Sequence, residues 1–354
     1  MYSKNKSILY ALVAASLFGA SAPLAKLLLS DIQPVLLASF LYLGSGLGLL
    51  FYKFIRRITK NDPVKEAKIG RADLPWLVAA TFFGGITAPI VLLFSLKHTP
   101  AATASLILNF EGVATALIAF IAFREAISKR IWLAVGFVTI AVILLSVDLS
   151  GKWGFSLGAL GVATACVLWG LDNNFTRNIS AKDPVAIVIV KGIVAGAISL
   201  AVALIIGNPF PGLVKVLLAC LLGLFCYGLS IVFFILSLRE LGTARTSGYF
   251  ATAPFIGSAL SFLIFRELPN TLFFIALPFI VVGAFLLFTE KHTHLHTHFE
   301  FKHDHIHDHI DGHHTHEHSA SRVSQTHSHP HKHVPVNHKH PHNPDIHHRH
   351  SHDD

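Results

Sequence analysis

Phe123-Arg124-Glu125 and Phe265-Arg266-Glu267 are one triplet met twice, 142 positions apart, each closing a long apolar run and each followed by another. The same offset, with no gap, sets Leu96 on Leu238, Lys97 on Arg239, Ala102 on Ala244 and Ser105 on Ser247. A second set of matches needs a slightly different offset: Phe18-Gly19 and Lys26 correspond to Trp169-Gly170 and Arg177 at 151, and Pro34 to Pro184 at 150. The chain therefore reads as two similar halves. Self-similarity at a long period is an architectural signal, and in an apolar chain it points to the internal repeats of secondary transporters.

Composition places both halves in a membrane. Of 354 residues, 53% are hydrophobic and 14% charged, and the mean hydropathy is +0.58. A soluble domain carries about 25% charged residues. Apolar runs of about 20 residues cross a bilayer as helices, because backbone groups in hydrocarbon need internal partners. The runs predict ten spans, at 7–29, 33–55, 74–96, 99–122, 130–149, 155–177, 185–207, 212–238, 242–265 and 268–289. The first resembles a signal peptide, with Lys4 and Lys6 ahead of it and Ala20-Ser21-Ala22 near its end, but Pro23 would follow the cut and the run continues to Leu29, so it is read as a span.

Charge orients the bundle. With the N-terminus in the cytoplasm, the inside segments before the tail carry fifteen Lys/Arg and the outside connections four, Lys97, Lys152, Lys215 and Arg266. The expectation is an all-α integral protein of the cytoplasmic (inner) membrane with both termini in the cytoplasm. Five spans per half is an odd number, so the second half (151–290) enters the bilayer inverted relative to the first (1–150). Residues 291–354 form a separate tail. Residues 1–290 hold 22 Lys/Arg and 12 Asp/Glu, so the basic excess belongs to the membrane body, where topology explains it and nucleic acid binding is not needed. The cysteines Cys166, Cys220 and Cys226 lie in apolar runs, and no disulfide is expected.

These features resemble the EamA-type branch of the drug/metabolite transporter superfamily, over about residues 5–290. That family has two five-helix halves, each closing its fourth helix with an aromatic-x-Glu, here the two Phe-Arg-Glu triplets. Residues 108–117 (Leu-Asn-Phe-Glu-Gly-Val-Ala-Thr-Ala-Leu) are similar to a fourth-helix pattern of one subgroup, and Trp169-Gly170-Leu171-Asp172-Asn173-Asn174 is similar to its sixth helix. The resemblance implies a transporter, often an exporter coupled to protons or ions, and leaves the solute open.

Charges inside spans narrow the candidate site, because each costs at least about 2.5–3.5 kcal/mol near the bilayer centre. Glu111 falls near the middle of its run, with Asn109 and Thr115 nearby, and reads either as a proton- or cation-titrating carboxylate or as a structural carboxylate paired with a cation or a helix end. At its aligned position the other half has Ala253-Pro254, so the acid breaks the pseudo-symmetry. Asp172 and Lys191 lie at similar depth on successive antiparallel spans, which suggests an ion pair serving either as a structural tie or as part of a substrate site. Asn173 and Trp169 complete the candidate pathway. Lys26 and Arg177 are expected to snorkel. The Gly44/Gly48 and Gly192/Gly196 spacings permit close helix contact, and Pro89, Pro254 and Pro278 are expected to kink their helices.

No phosphate loop, Gly-x-Ser-x-Gly or His-Glu-x-x-His occurs, which argues against an enzyme and against ATP-driven transport within this chain. Residues 292–352 hold 23 of the 24 histidines, many as His-x-His. Candidate ligands are His292, His294, His296, His298, His303, His305, His307, His309, His313, His314, His316 and His318. The tail is expected to be disordered, and its imidazoles suit Zn, Ni, Co or Cu. No cofactor is required. The first reading is a secondary transporter that exports drugs or metabolites by alternating access, with a small-molecule substrate, a coupling proton or cation and the lipid bilayer as partners, as a monomer or homodimer. Two readings stand beside it: a divalent Zn/Ni/Co exporter that collects metal on the tail, and a membrane-anchored metal buffer or sensor that transports nothing.

Overall fold

The computed structural model describes residues 2–59, 67–123, 128–147, 155–180, 182–266 and 269–288, and four backbone segments of the tail; within these, side chains are described for residues 6–59, 67–123, 128–147, 155–180, 182–237, 246, 249–266 and 269–286. Arg124, Glu125, Asp148 and Glu267 lie outside the described residues, as do the side chains of the candidate tail ligands.

The body is helical. Helix α1 runs Tyr2–Leu28 and α2 Pro34–Ile58. α3 (Leu74–Ala80), a π-helical segment (Thr81–Thr87) and α4 (Ala88–Lys97) make one rod, and α5 (Ala101–Ile107) and α6 (Phe110–Phe123) another. Then follow α7 (Lys129–Ser146), α8 (Leu157–Arg177) and α9 (Pro184–Ile205). α10 (Leu213–Leu222), a second π segment (Gly223–Leu229) and α11 (Ser230–Phe250) lead into α12 (Ala253–Phe265) and α13 (Thr271–Phe288). Local chemistry sets the starts. Ser128 caps Ile131 N, Ser156 caps Ala159 N, and Asp183 takes Val185 N and Ala186 N. Pro34 and Pro184 open α2 and α9, where a missing N–H costs nothing.

Among the described residues, seven helical rods are long and apolar enough to cross a membrane, and Ala253–Phe265 and Thr271–Leu286 are shorter apolar helices. α8, which carries Asp172 and Arg177, is not one of the seven. Large apolar side chains face outward, with Ile121 74%, Leu157 78% and Ile205 83% exposed, while Ala, Gly and Ser fill the helix contacts. That arrangement suits lipid, where close packing of small residues holds helices together.

The closest packing runs between the halves: α2 lies along α9, α1 along α11 and α12, α7 along α13, and α8 against α4 and α6. Glycine permits the approach of α2 to α9. A Cβ on Gly46 would stand 2.6 Å from Ile193 N, and one on Gly192 2.6 Å from Gly46 N.

Several expectations need correction. The predicted spans 99–122 and 242–265 are each interrupted, at Leu108–Asn109 and at Ala251–Thr252; apolar length alone carries no signal of such a break. Pro254 stands two residues after the second break and cannot donate to Phe250 O, so that interruption falls where the proline was expected to act. Pro89 does act on its helix, since it cannot donate to Gly85 and it follows the first π segment. The second π segment begins and ends 142 positions after the first, without a proline at the matching position. Lys26 Nζ donates to Thr99 O, in the connection between α4 and α5. Helical backbone continues from Ser230 to Phe250, through the connection expected at 239–241. Yet Ser237 Oγ and Thr246 Oγ1 are 3.2 Å apart. Nine residues of straight helix would separate them by about 13.5 Å, so the rod doubles back between them. In the tail, the backbone pairs β1 (His292–His298) with β4 (Val336–His342) and β2 (Phe301–Asp308) with β3 (Thr326–His333), both antiparallel. The His-x-His repeat has the period of two that a strand adopts.

Candidate functional site

The polar residues of the apolar body gather around α8. Glu111 stands in the first turn of α6, just past the Leu108–Asn109 break, and 11 residues into the 23-residue rod Ala101–Phe123. That is about 15 Å from one end of the rod at the helical rise. Its Oε1 accepts from Asn173 Nδ2 at 2.9 Å, and the same amide reaches Thr115 Oγ1 at 3.2 Å. Asn173 is exposed, although its amide bonds a carboxylate deep in an apolar span. Asn174, the next residue, is buried and donates to Thr115 O and Gly170 O, fixing α8 against α6. Close approach there depends on Gly170, where a Cβ would meet Ala114 C and Thr115 N at 3.0 Å.

Glu111 lies at the N-terminus of α6, where its own backbone N–H donates to Leu108 O at 3.1 Å. Among the described residues no cation is paired with it.

Asp172 points the other way. Both of its oxygens contact Lys191 Nζ, at 2.6 and 2.8 Å, and Oδ1 also accepts from Thr176 Oγ1 at 2.8 Å. The pair is buried, with Asp172 8% and Lys191 8% exposed. The ion pair read from sequence is thus present, and it joins α8 to α9. The first π segment lies against it: a Cβ on Gly84 would stand 1.9 Å from Asp172 Oδ2. Gly84 O in turn accepts from Tyr42 Oη at 2.6 Å and Trp169 Nε1 at 3.1 Å. A π turn leaves carbonyls without their usual helical donor, and here two side chains supply one. Trp169 is therefore held by a backbone oxygen. Its ring also meets Phe18 edge-on at 6.1 Å, and Phe18 contacts Tyr227 and Phe250.

Of the residues expected at the site, Glu111 and Asn173 come together, Asp172 and Lys191 pair beside them, and Trp169 closes on Gly84. Asn109 does not join. Its amide turns back on its own helix, donating to Leu106 O at 3.1 Å. Tyr42, Gly84 and Thr176 were not read from sequence; the Gly84-Gly85 pair within an apolar run was the available sign of a backbone feature. Among the described residues, no three His, Cys, Asp or Glu side chains cluster to hold a metal.

The comparisons with known proteins agree with this architecture. Residues 5–147 and 156–289 match the EamA-like transporter family. A protein described as "Uncharacterized transporter", from Methanothermobacter thermautotrophicus, is 29% identical over 296 residues, which cover 78% of this chain and 84% of that protein. A solved structure described only as "Crystal structure of protein" is 20% identical with a TM-score of 0.54, covers 79% of this chain and 94% of its own, and shares the fold. With both matched segments inside the helical body, and with helices long and apolar enough to cross a bilayer, the chain is a multi-pass membrane protein that belongs to the EamA-like transporter family.

Proposed function

We propose that the chain is a secondary transporter that moves small organic solutes out across the cytoplasmic membrane by alternating access. In this reading ten spans form two five-helix halves of opposite topology, both termini are cytoplasmic, and Glu111 carries the coupling proton or cation. The observation that carries it is the contact between Glu111 Oε1 and the exposed Asn173 amide in the midst of apolar helices. An exposed amide and a carboxylate at this depth are costly against hydrocarbon and are tolerated beside a water-filled path.

The chemistry follows from the neighbours. Lys191 neutralises Asp172, which leaves Glu111 as the acid whose charge can change without breaking a buried pair. When ionised, Glu111 is held by Asn173. When protonated, or when a solute cation replaces the proton, Asn173 is released from a charged acceptor. Asn173 follows Asp172 and lies one helical turn beyond Trp169, so its helix also bears on α9 and on the π segment. A change at Glu111 therefore acts on the helix that joins the two halves.

The test is proteoliposomes with a trapped pH dye, screened against amino acids, nucleosides and organic cations. The reading expects at least one solute to drive proton flux with the intact chain, and Glu111→Gln to abolish that flux while leaving the chain folded. Solute-driven proton flux that persists in Glu111→Gln removes Glu111 from the coupling role.

A further inference from the structure

Two ion pairs tie the halves together at opposite ends of α2. Asp31, three residues before that helix starts, pairs with Lys215 at the start of α10, at 2.5 Å. Asp73, beyond its other end and just before α3, pairs with Lys182 ahead of α9, at 3.7 Å. α2 has 25 residues and spans about 37 Å, so the pairs are separated by roughly the thickness of a bilayer.

Their positions in sequence are related. Lys182 stands 151 residues after Asp31, the offset that carries Phe18-Gly19 onto Trp169-Gly170, and Lys215 stands 142 after Asp73, the offset of the two Phe-Arg-Glu triplets. Exchanging the halves therefore carries one pair onto the other with the charges swapped. Both acids come from the first half and both bases from the second.

We propose that Asp31–Lys215 and Asp73–Lys182 are a matched pair of ionic latches, one at each end of the bundle, that open in turn as the halves rock. This rests on the alternating-access reading. Interlocked helices that rock about a central site must part at one end while they close at the other, and a contact between halves at each end is where parting is felt. Other polar contacts lie beside each pair. Beside Asp73, Lys53 also pairs with Asp183 at 2.7 Å, and Asp183 N donates to Ala67 O at 3.0 Å, both between halves. Beside Asp31, Lys97 to Gln33 and Lys26 to Thr99 run within the first half. The Asp31–Lys215 pair is exposed and contributes little, and the less exposed Asp73–Lys182 pair is long at 3.7 Å, so the latch acts as a bias of a few-fold on the populations of two states.

The experiment uses the full chain in membranes, with Cys166, Cys220 and Cys226 replaced by Ala and with Asp73→Cys and Lys182→Cys introduced. The rate of disulfide formation under an added oxidant reports how often that end is closed. Lys215→Asp sets two acids against each other at the Asp31 end and is expected to raise the rate at 73/182 about two- to five-fold, and Asp31→Lys added to Lys215→Asp is expected to restore it. An unchanged rate in Lys215→Asp, or a rise that the swap does not reverse, overturns the latch. Alternating access is read separately, by labelling Asn173→Cys with a membrane-impermeant maleimide. Locking 73/182 should stop labelling from that side and preserve it from the other. Labelling that ignores the lock sinks the transport cycle itself, whatever the charges do.

Discussion

Lys191 and Asp172 form a buried two-oxygen ion pair, and the backbone of Gly84 leaves no room on the far side of that carboxylate. A desolvated pair of this kind gains little over a well-packed apolar pair, but losing one partner strands a charge. Asp172→Asn or Lys191→Met alone should lower the stability of the detergent-solubilised chain by about 3–5 kcal/mol. Asp172→Leu with Lys191→Met should recover most of the loss. A double variant as unstable as the singles would show that the charges contribute more than their mutual neutralisation; thermal unfolding of the purified chain decides it.

Gly84 is predicted to be irreplaceable for a steric reason. A methyl group there would stand 1.9 Å from Asp172 Oδ2, an atom held by Lys191. Gly84→Ala should therefore cost more than the 1–3 kcal/mol typical of overpacking, and Asp172→Gly with Lys191→Met in the same chain, which removes the carboxylate without stranding the lysine, should relieve part of it. Gly136→Ala, where a Cβ meets nothing within 4 Å, is the control and should be silent or slightly stabilising. Unfolding midpoints of the four chains check the order.

Tyr42→Phe and Trp169→Phe each remove one donor from Gly84 O. Tyr42→Phe should cost about 0.5–1.5 kcal/mol, and Trp169→Phe more, because the smaller ring also leaves a gap in a buried site. The double variant should cost more than their sum, because the carbonyl freed by the π turn then loses both of its side-chain donors. Faster amide exchange confined to 81–87 in the double variant, measured by mass spectrometry, is the expected signature; exchange spread over the whole rod would contradict it.

The Asp31 latch has a defined pH response. Contact with Lys215 holds the Asp31 carboxyl below its usual range. A depressed carboxyl contributes above the unfolded value and is lost as pH falls through the folded one. Between pH 5 and 8 the latch should not change, and salt should weaken it, since both side chains are exposed. Because thiolate content itself rises with pH, the crosslinking rate at 73/182 is read as a ratio to that of Asp31→Asn at the same pH; this ratio should be flat across the range and approach one as ionic strength rises. Groups elsewhere that titrate between pH 5 and 8 are separated from this effect by repeating the series in Asp31→Asn.

The tail should bind metal without supporting the body. The full chain is expected to take up several Zn or Ni ions in titration calorimetry, and a chain ending at Glu290 none, because the histidines fall away with the tail. Chelation should leave the unfolding midpoint of both chains unchanged. A midpoint that falls on chelation would place a structural metal in the body.

The helical, membrane-crossing character of the body was legible because apolar length is a one-dimensional quantity. The repeat was readable as identical residues at a fixed offset, and the Lys191–Asp172 pair followed from depth on neighbouring antiparallel spans. What escaped is made by backbone geometry inside apolar runs. The breaks at Leu108–Asn109 and Ala251–Thr252 and the two π segments change neither hydropathy nor length. Gly84 enters the site through its carbonyl, and Tyr42 only because α2 crosses the π segment, so neither leaves a side-chain pattern to read. Asn109 was drawn in by proximity to Glu111, but an amide at a helix break bonds its own turn first.

The most direct measurement is solute-driven proton flux in proteoliposomes, comparing the intact chain with Glu111→Gln and with Asp172→Leu/Lys191→Met. The account predicts that Glu111→Gln loses the flux while the ion-pair replacement retains a measurable part of it, because Glu111 carries the coupling charge and the buried pair holds the helices. Flux that survives Glu111→Gln and disappears with the ion pair would contradict it and would move the coupling charge to Asp172.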